Sequence, residues 1–195
     1  RWTNLFVFRL NLIINLNLLR ATLRMSTPIA LAAMGLVITE QASITNIGIE
    51  GIMLIGSFVA VAVSYFTGSW VLGILASVAA GVIVALIMAV IHLKFKANVF
   101  VAGIAINLFA IEFTRFLLRN IFNTAGSFYD PKIVAIPSIT IPILDKIPVL
   151  GTLLSGFKLT DYLGIILVFV TYFILYKTVW GLRIRFVGIH PLSAE

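Results

Sequence analysis

Between Trp70 and Leu93 lie about 24 residues without a formal charge, and that run decides which solvent the chain folds in. A helix of this length, rising about 1.5 Å per residue, crosses about 30 Å of hydrocarbon. Three further runs repeat the pattern. Ile47 to Phe66 is broken only by Glu50. Val99 to Phe122 carries Glu112, Arg115 and Arg119 in its later half. Leu159 to Tyr176 ends in the aromatic group Tyr172, Phe173 and Tyr176, which suits a membrane interface. Met25 to Thr39 is apolar but short, and it spans only if Leu10 to Leu23 contributes or if it is a broken helix buried in protein. The residues before it, with Arg9, Asn11, Asn15, Asn17 and Arg20, are more polar.

Composition agrees. Hydrophobic residues make up 61% of the chain and charged residues 11%, against about 45–50% and 25% in soluble domains. The expected fold is therefore all-α, a polytopic transmembrane helical bundle of about five spans forming one domain over residues 1–195. Residues 1–24 are its least defined part. The net charge of +7 does not point to nucleic acid, because the basic residues flank apolar runs as membrane anchors do. The absence of cysteine excludes disulfides and thiolate metal sites. His92 and His190 lie far apart with no carboxylate at ligand spacing, so no metal is expected. The chain opens on Arg1 and stops at Glu195 in a polar, helix-like stretch, and the expectation is a fragment of a longer protein.

Loop charges set an orientation. Lys94-Phe95-Lys96-Ala97 and the segment from Lys177 onward, with Arg183 and Arg185, are basic, whereas Thr67-Gly68-Ser69 carries no charge. The positive-inside rule puts 94–97, 177–195 and, by alternation, 40–46 in the cytoplasm. It puts 67–69 and the connection 123–158 outside; Arg20 and Arg24 run against it. Pro131, Pro137, Pro142 and Pro148 forbid a long helix in that outer connection, and Ser138-Ile139-Thr140-Ile141 alternates like a short strand.

Two segments carry candidate chemistry. The first runs from Thr39 to Gly51, polar and glycine-bearing, between two apolar runs. Such interruptions are tolerated inside protein or beside a water-filled cavity, where transport sites are built. Within it Asn46, Gly48, Glu50 and Gly51 are candidates for a substrate path. An ionised carboxylate at membrane depth costs at least about 2.5–3.5 kcal/mol. The bland alternative puts Glu50 in the first turn of its helix at the interface, favoured by the helix dipole, with Asn46 as N-cap. Asn98 and Asn107, on the next long run, join the candidates; for Asn107 an interhelical hydrogen bond is the competing reading. Glu112 and Arg115 read as an intrahelical pair. The second segment, from Trp180 to Glu195, alternates Arg183 and Arg185 with apolar residues. Gly188 permits a sharp turn and Pro191 favours a new helix just beyond it. It is either a basic loop on lipid headgroups or a docking helix for a cytoplasmic partner.

At these segments the chain resembles the inner-membrane permease subunits of ABC importers for nucleosides and simple sugars, relatives of the ribose and branched-chain amino acid permeases. Thr45 to Phe58 is similar to that family's signature and Leu23-Arg24-Met25-Ser26-Thr27-Pro28 to the start of its first shared span. Thr124 to Phe128, Ile141 to Leu144 and Ile147 to Gly151 follow its outer loop. Gly181 to Pro191 is similar to its coupling segment. The chain departs from the pattern at Gln41 and Ser43, where the family favours Arg and Gly, and at Glu112 and Ile189. The resemblance implies a permease that carries a small-molecule substrate and binds no cofactor, ATP being bound by a partner. It implies as partners an ATP-binding subunit, a second permease subunit and an extracytoplasmic substrate-binding lipoprotein, in a bacterial plasma membrane. Gly181, Arg183, Arg185, Gly188 and Pro191 are then the candidates for coupling to the ATPase. The rival readings are a polytopic membrane enzyme, for which no nucleophile–base pair or metal motif appears, and a self-contained channel, which needs no coupling segment.

Overall fold

The computed structural model describes residues 16–124, 126–139 and 157–189. Their elements, in chain order, are α1 (Leu16–Gln41), α2 (Ile49–Thr67), α3 (Trp70–Leu93), α4 (Val99–Phe122), β1 (Ser138–Ile139), β2 (Phe157–Lys158), α5 (Leu159–Lys177) and α6 (Val179–Ile189). Among the described residues five helices are long and apolar enough to cross a membrane. The all-α polytopic fold expected from hydropathy is therefore present, and the bounds of α3 and α4 match the apolar runs from which they were read.

Of the two forms expected for the first span, the structure shows the longer. Residues before Met25 contribute, and α1 is one continuous helix of 26 residues that contains Pro28. Proline there has no N–H to donate to the carbonyl four residues back. The hydroxyls of Ser26 and Thr27 both donate to the Leu23 carbonyl, so the turn beside the proline keeps side-chain hydrogen bonds of its own.

Two compact units share the chain: residues 1–34 with 136–173, and residues 35–135 with 174–195. In the first, α1 and α5 approach at Gly164, where an added Cβ would lie 3.1 Å from Thr27 Cγ2. The expected strand at Ser138–Ile139 pairs antiparallel with Phe157–Lys158. Asp161, buried in the first turn of α5, accepts the Lys158 N–H at 3.1 Å, as a carboxylate at a helix N-terminus should. The loop motifs between 140 and 156 lie outside the described residues.

In the second unit α2 packs against both α3 and α4. Glycines set the spacing. A Cβ on Gly73 would sit 2.8 Å from the Ala60 carbonyl oxygen, and one on Gly56 3.1 Å from Ser77 Oγ. Close approach of small residues is how helices associate where lipid supplies no hydrophobic drive. At one end of this unit Ser64 Oγ donates to the Val134 carbonyl. There Tyr65, Phe66 and Phe122 form an aromatic cluster with Phe128. That cluster seats the connection after α4 beside the α2–α3 turn, where Gly68 takes a left-handed C-cap.

At the opposite end, α1 stops in a Schellman motif. The Ser43 N–H bonds the Glu40 carbonyl and the Ile44 N–H the Thr39 carbonyl, with Ser43 in the left-handed region at φ 57°. A side chain there costs on the order of 1–2 kcal/mol relative to glycine. His92 Nδ1 lies 3.0 Å from the Ala97 carbonyl and so donates to it, closing the α3–α4 turn.

Candidate functional site

Helix α2 has 19 residues and α3 has 24, and only Gly68 and Ser69 join them. The N–H groups of the first turn of α2 have no partner within their own helix and need one from elsewhere.

Those partners come from α4. The N-cap of α2 is Gly48, which has no side chain to offer, and not Asn46 as the sequence suggested. The amide of Asn107 does the capping from 56 residues away. Its Oδ1 accepts the Gly51 N–H at 2.7 Å, the bond an N-cap side chain ordinarily makes to the third helical residue. Its Nδ2 donates to the Ile47 carbonyl at 3.0 Å. Asn46 holds the turn just before: its Oδ1 accepts the Gly48 N–H at 3.0 Å.

This clamp needs the two backbones in near contact. A Cβ on Gly103 would lie 2.8 Å from the Gly48 nitrogen, and one on Gly51 would lie 2.9 Å from Asn107 Oδ1 and 3.0 Å from the Ile106 carbonyl oxygen. Gly103 was not singled out from the sequence. The signal was its spacing, four residues before Asn107, which puts both on one helical face.

The candidate path residues thus divide by placement. Gly48 and Gly51 are buried against α4, and Asn107, half-buried, bridges to them. Glu50 is exposed in the first turn of α2, where the helix dipole favours a carboxylate. Among the described residues its carboxylate has no hydrogen-bond or ion-pair partner. Glu50 begins a stripe continued by Leu54, Ser57 and Val61. Those three, with Thr114 and Leu118 of α4 and with Phe128, line an open pocket. Asn46 lines a different, apolar pocket with Thr39, Ile44, Met88 and His92. Asn98 is exposed and N-caps α4, its Oδ1 accepting the Phe100 N–H at 2.9 Å. Glu112 and Arg115 form the expected exposed pair at 2.8 Å.

The coupling candidates gather on α6. Thr178 alone separates α5 from α6, and its Oγ1 accepts the Gly181 N–H at 3.3 Å as an N-cap. A Cβ on Gly181 would strike the carbonyl oxygens of Ile174 and Leu175, so only glycine fits this reversal. Arg185 lies half-buried over the Tyr176 ring and Arg183 over Trp180; such contacts contribute about 0.5–1 kcal/mol at exposed sites. Gly188 makes no turn. It sits within α6, which begins ten residues earlier than the helix expected beyond it, and what demands glycine is the Gln41 carbonyl pressed against it. The Ser43 hydroxyl donates to the Gly188 carbonyl at 2.7 Å. Pro191 lies outside the described residues.

Comparison with known proteins fits this geometry. Residues 18–195 match the family described as branched-chain amino acid transport system / permease component. The chain is 40% identical over 189 residues to the guanosine ABC transporter permease protein NupQ of Bacillus subtilis, covering 90% of this chain and 56% of that one. It is 32% identical over 178 residues to the nucleoside ABC transporter permease protein NupC of Lactococcus lactis, covering 87% and 55%. It is 31% identical over 182 residues to TsgC13 of Haloferax volcanii, a chain provisionally named a glucose ABC transporter permease protein, covering 91% and 53%. No solved structure gives a significant match. The chain spans about half the length of these curated relatives. Its relatives are transport proteins and not enzymes, and its five apolar helices make it a multi-pass protein of the plasma membrane. With a family match across nearly all of its length, the chain belongs to the permease components of the branched-chain amino acid transport type.

Proposed function

We propose that this chain forms part of the translocation path of an ATP-driven importer for a nucleoside or simple sugar. The observation that carries the reading is the start of α2, where Glu50 stands exposed in the first turn without a partner among the described residues while α4 caps the turn from behind. A carboxylate is costly in lipid and is stabilised beside water or a polar solute. Sugar hydroxyls, present in nucleosides and simple sugars alike, donate hydrogen bonds that a carboxylate accepts. Asn46, Gly48, Gly51, Asn98 and Asn107 then shape the path, with Asn107 and the two glycines holding the turn that presents Glu50. The names of the relatives support nucleosides first and sugars second.

In this reading 40–46, 94–97 and 177–195 face the cytoplasm and 67–69 and 123–158 face outward, with α6 meeting an ATP-binding subunit that holds the nucleotide. A second permease subunit completes the path and an extracytoplasmic binding lipoprotein delivers substrate. The test is uptake by proteoliposomes holding the full-length permease with those partners. ATP-dependent accumulation of adenosine, guanosine, ribose or glucose, reduced at least tenfold by Glu50→Gln at equal protein level, supports the reading. Entry that runs to equal concentrations on the two sides without ATP makes the protein a channel and overturns it.

A further inference from the structure

The joint between α6 and the α1–α2 turn has a feature that packing alone does not require. Ser43 occupies the left-handed position of the Schellman motif, which glycine fills without strain. Its hydroxyl donates to the Gly188 carbonyl at 2.7 Å, across 145 residues. Gly188 approaches so closely because its missing Cβ leaves room for the Gln41 carbonyl. Ser43 is thus a strained residue whose side chain grips the last turn of α6.

From Ser43 the chain leads directly to Glu50, and the stretch between them is pinned. The Ser43 and Ile44 N–H groups are bonded back to α1, Asn46 bonds the Gly48 N–H, and Asn107 holds both the Ile47 carbonyl and the Gly51 N–H. A stretch so held moves as a body rather than by loosening. A displacement of α6 pulling on Ser43 is therefore passed along this stretch to the start of α2 and to the turn of α4 bonded to it.

We propose that the Ser43 hydroxyl is a positioning group that fastens α6 to the α1–α2 turn, so that movement of α6 reaches Glu50 through the Asn46–Gly51 stretch. The proposal rests on the importer reading above and adds a single-atom link to it. A turn with glycine at this position would fold equally well and lack the link.

That contrast supplies the experiment. Ser43→Gly removes the hydroxyl and relieves the backbone, so the full-length permease should keep its membrane level and thermal midpoint. In proteoliposomes with its ATP-hydrolysing subunit and binding protein, substrate-stimulated ATP hydrolysis and uptake should fall about 2- to 10-fold, the worth of one ordinary hydrogen bond. Hydrolysis without substrate should stay unchanged. Ser43→Asn, which also tolerates a left-handed φ and offers an amide donor, should restore stimulation. Adenosine, guanosine, ribose and glucose serve as probes. If the wild-type complex shows no ATP-driven uptake of any of them, the importer reading falls and this link with it. If the wild type transports and Ser43→Gly equals it, the link alone is overturned. A loss that Ser43→Asn does not restore overturns the hydroxyl's role as donor.

Discussion

Asn107 Oδ1 accepts the N–H of Gly51 at 2.7 Å, although 56 residues separate them. An N-cap bond is usually local, made by a residue at the head of its own helix. Here the head of α2 is a glycine without a side chain, and the capping group arrives from α4. The start of α2 is therefore a property of two helices together, and changing α4 should disturb it.

The first prediction follows from that bond. Asn107→Ala leaves the Gly51 N–H and the Ile47 carbonyl without their partner, at about 1–3 kcal/mol for each group stranded out of water. Thermal unfolding of the detergent-solubilised full-length permease should show a lowered midpoint. Asn107→Asp keeps the acceptor for Gly51 and loses the donor to Ile47, so its midpoint should fall between the two. Equal midpoints for wild type and Asn107→Ala would show that the amide is not a cap.

Glycine contacts give a paired test. Gly103→Ala forces a Cβ to within 2.8 Å of the Gly48 backbone nitrogen, whereas Gly81→Ala meets only Ile52 Cγ2 at an ordinary 3.6 Å. Backbone cannot swing aside as a side chain can, so Gly103→Ala should cost about 1–3 kcal/mol. Gly81→Ala should be close to neutral. The same unfolding measurement compares them, and a neutral Gly103→Ala would contradict the close approach of α2 and α4.

Carboxylates on α2 and α4 should behave differently. Glu50→Gln is expected to reduce uptake at unchanged membrane level, because its carboxylate has no structural partner among the described residues. Glu112→Gln removes only an exposed pair with Arg115, a contact contributing a few tenths of a kcal/mol. Its uptake should match the wild type. A reversed pattern would move the path from α2 to α4.

Sidedness is open to direct labelling, since the chain has no cysteine of its own. Phe95 and Tyr129 are both highly exposed, at 71% and 90%, and stand in connections predicted to lie on opposite faces of the membrane. In intact cells a membrane-impermeant thiol reagent should label Tyr129→Cys and leave Phe95→Cys unlabelled until the membrane is opened. Labelling of Phe95→Cys alone would invert the assignment.

Much of the architecture was legible because it depends on local composition. The ends of α3 at Leu93 and α4 at Val99 are set where uncharged runs meet Lys94, Lys96 and Asn98, and each boundary was read from that change. The run read from Ile47 begins two residues before the helix start at Ile49. The cap offered for it, Asn46, gives way to Gly48 with Asn107 of α4, which sequence rules miss because they look only to adjacent residues. The length of α1 stays open in the sequence because the residues before Met25, with Asn17 and Arg20, are polar for a span. Gly188 was expected to turn the chain, as glycine often does, whereas its backbone is helical and its use is steric.

The sequence by itself determined the solvent, the apolar runs and the family, because each follows from local composition or from motifs read in order along the chain. Only the tertiary structure decided what the polar residues among those runs do. Asn107 became a cap, Ser43 a hydrogen-bond donor to α6 and Glu50 a carboxylate without a partner among the described residues, through the distance between α2 and α4 and the seating of α6. Those distances depend on glycines that admit a neighbouring backbone, Gly103 beside Gly48 and Gly188 beside the Gln41 carbonyl. No single segment contains that information, since a hydrogen bond needs both of its atoms within about 3 Å.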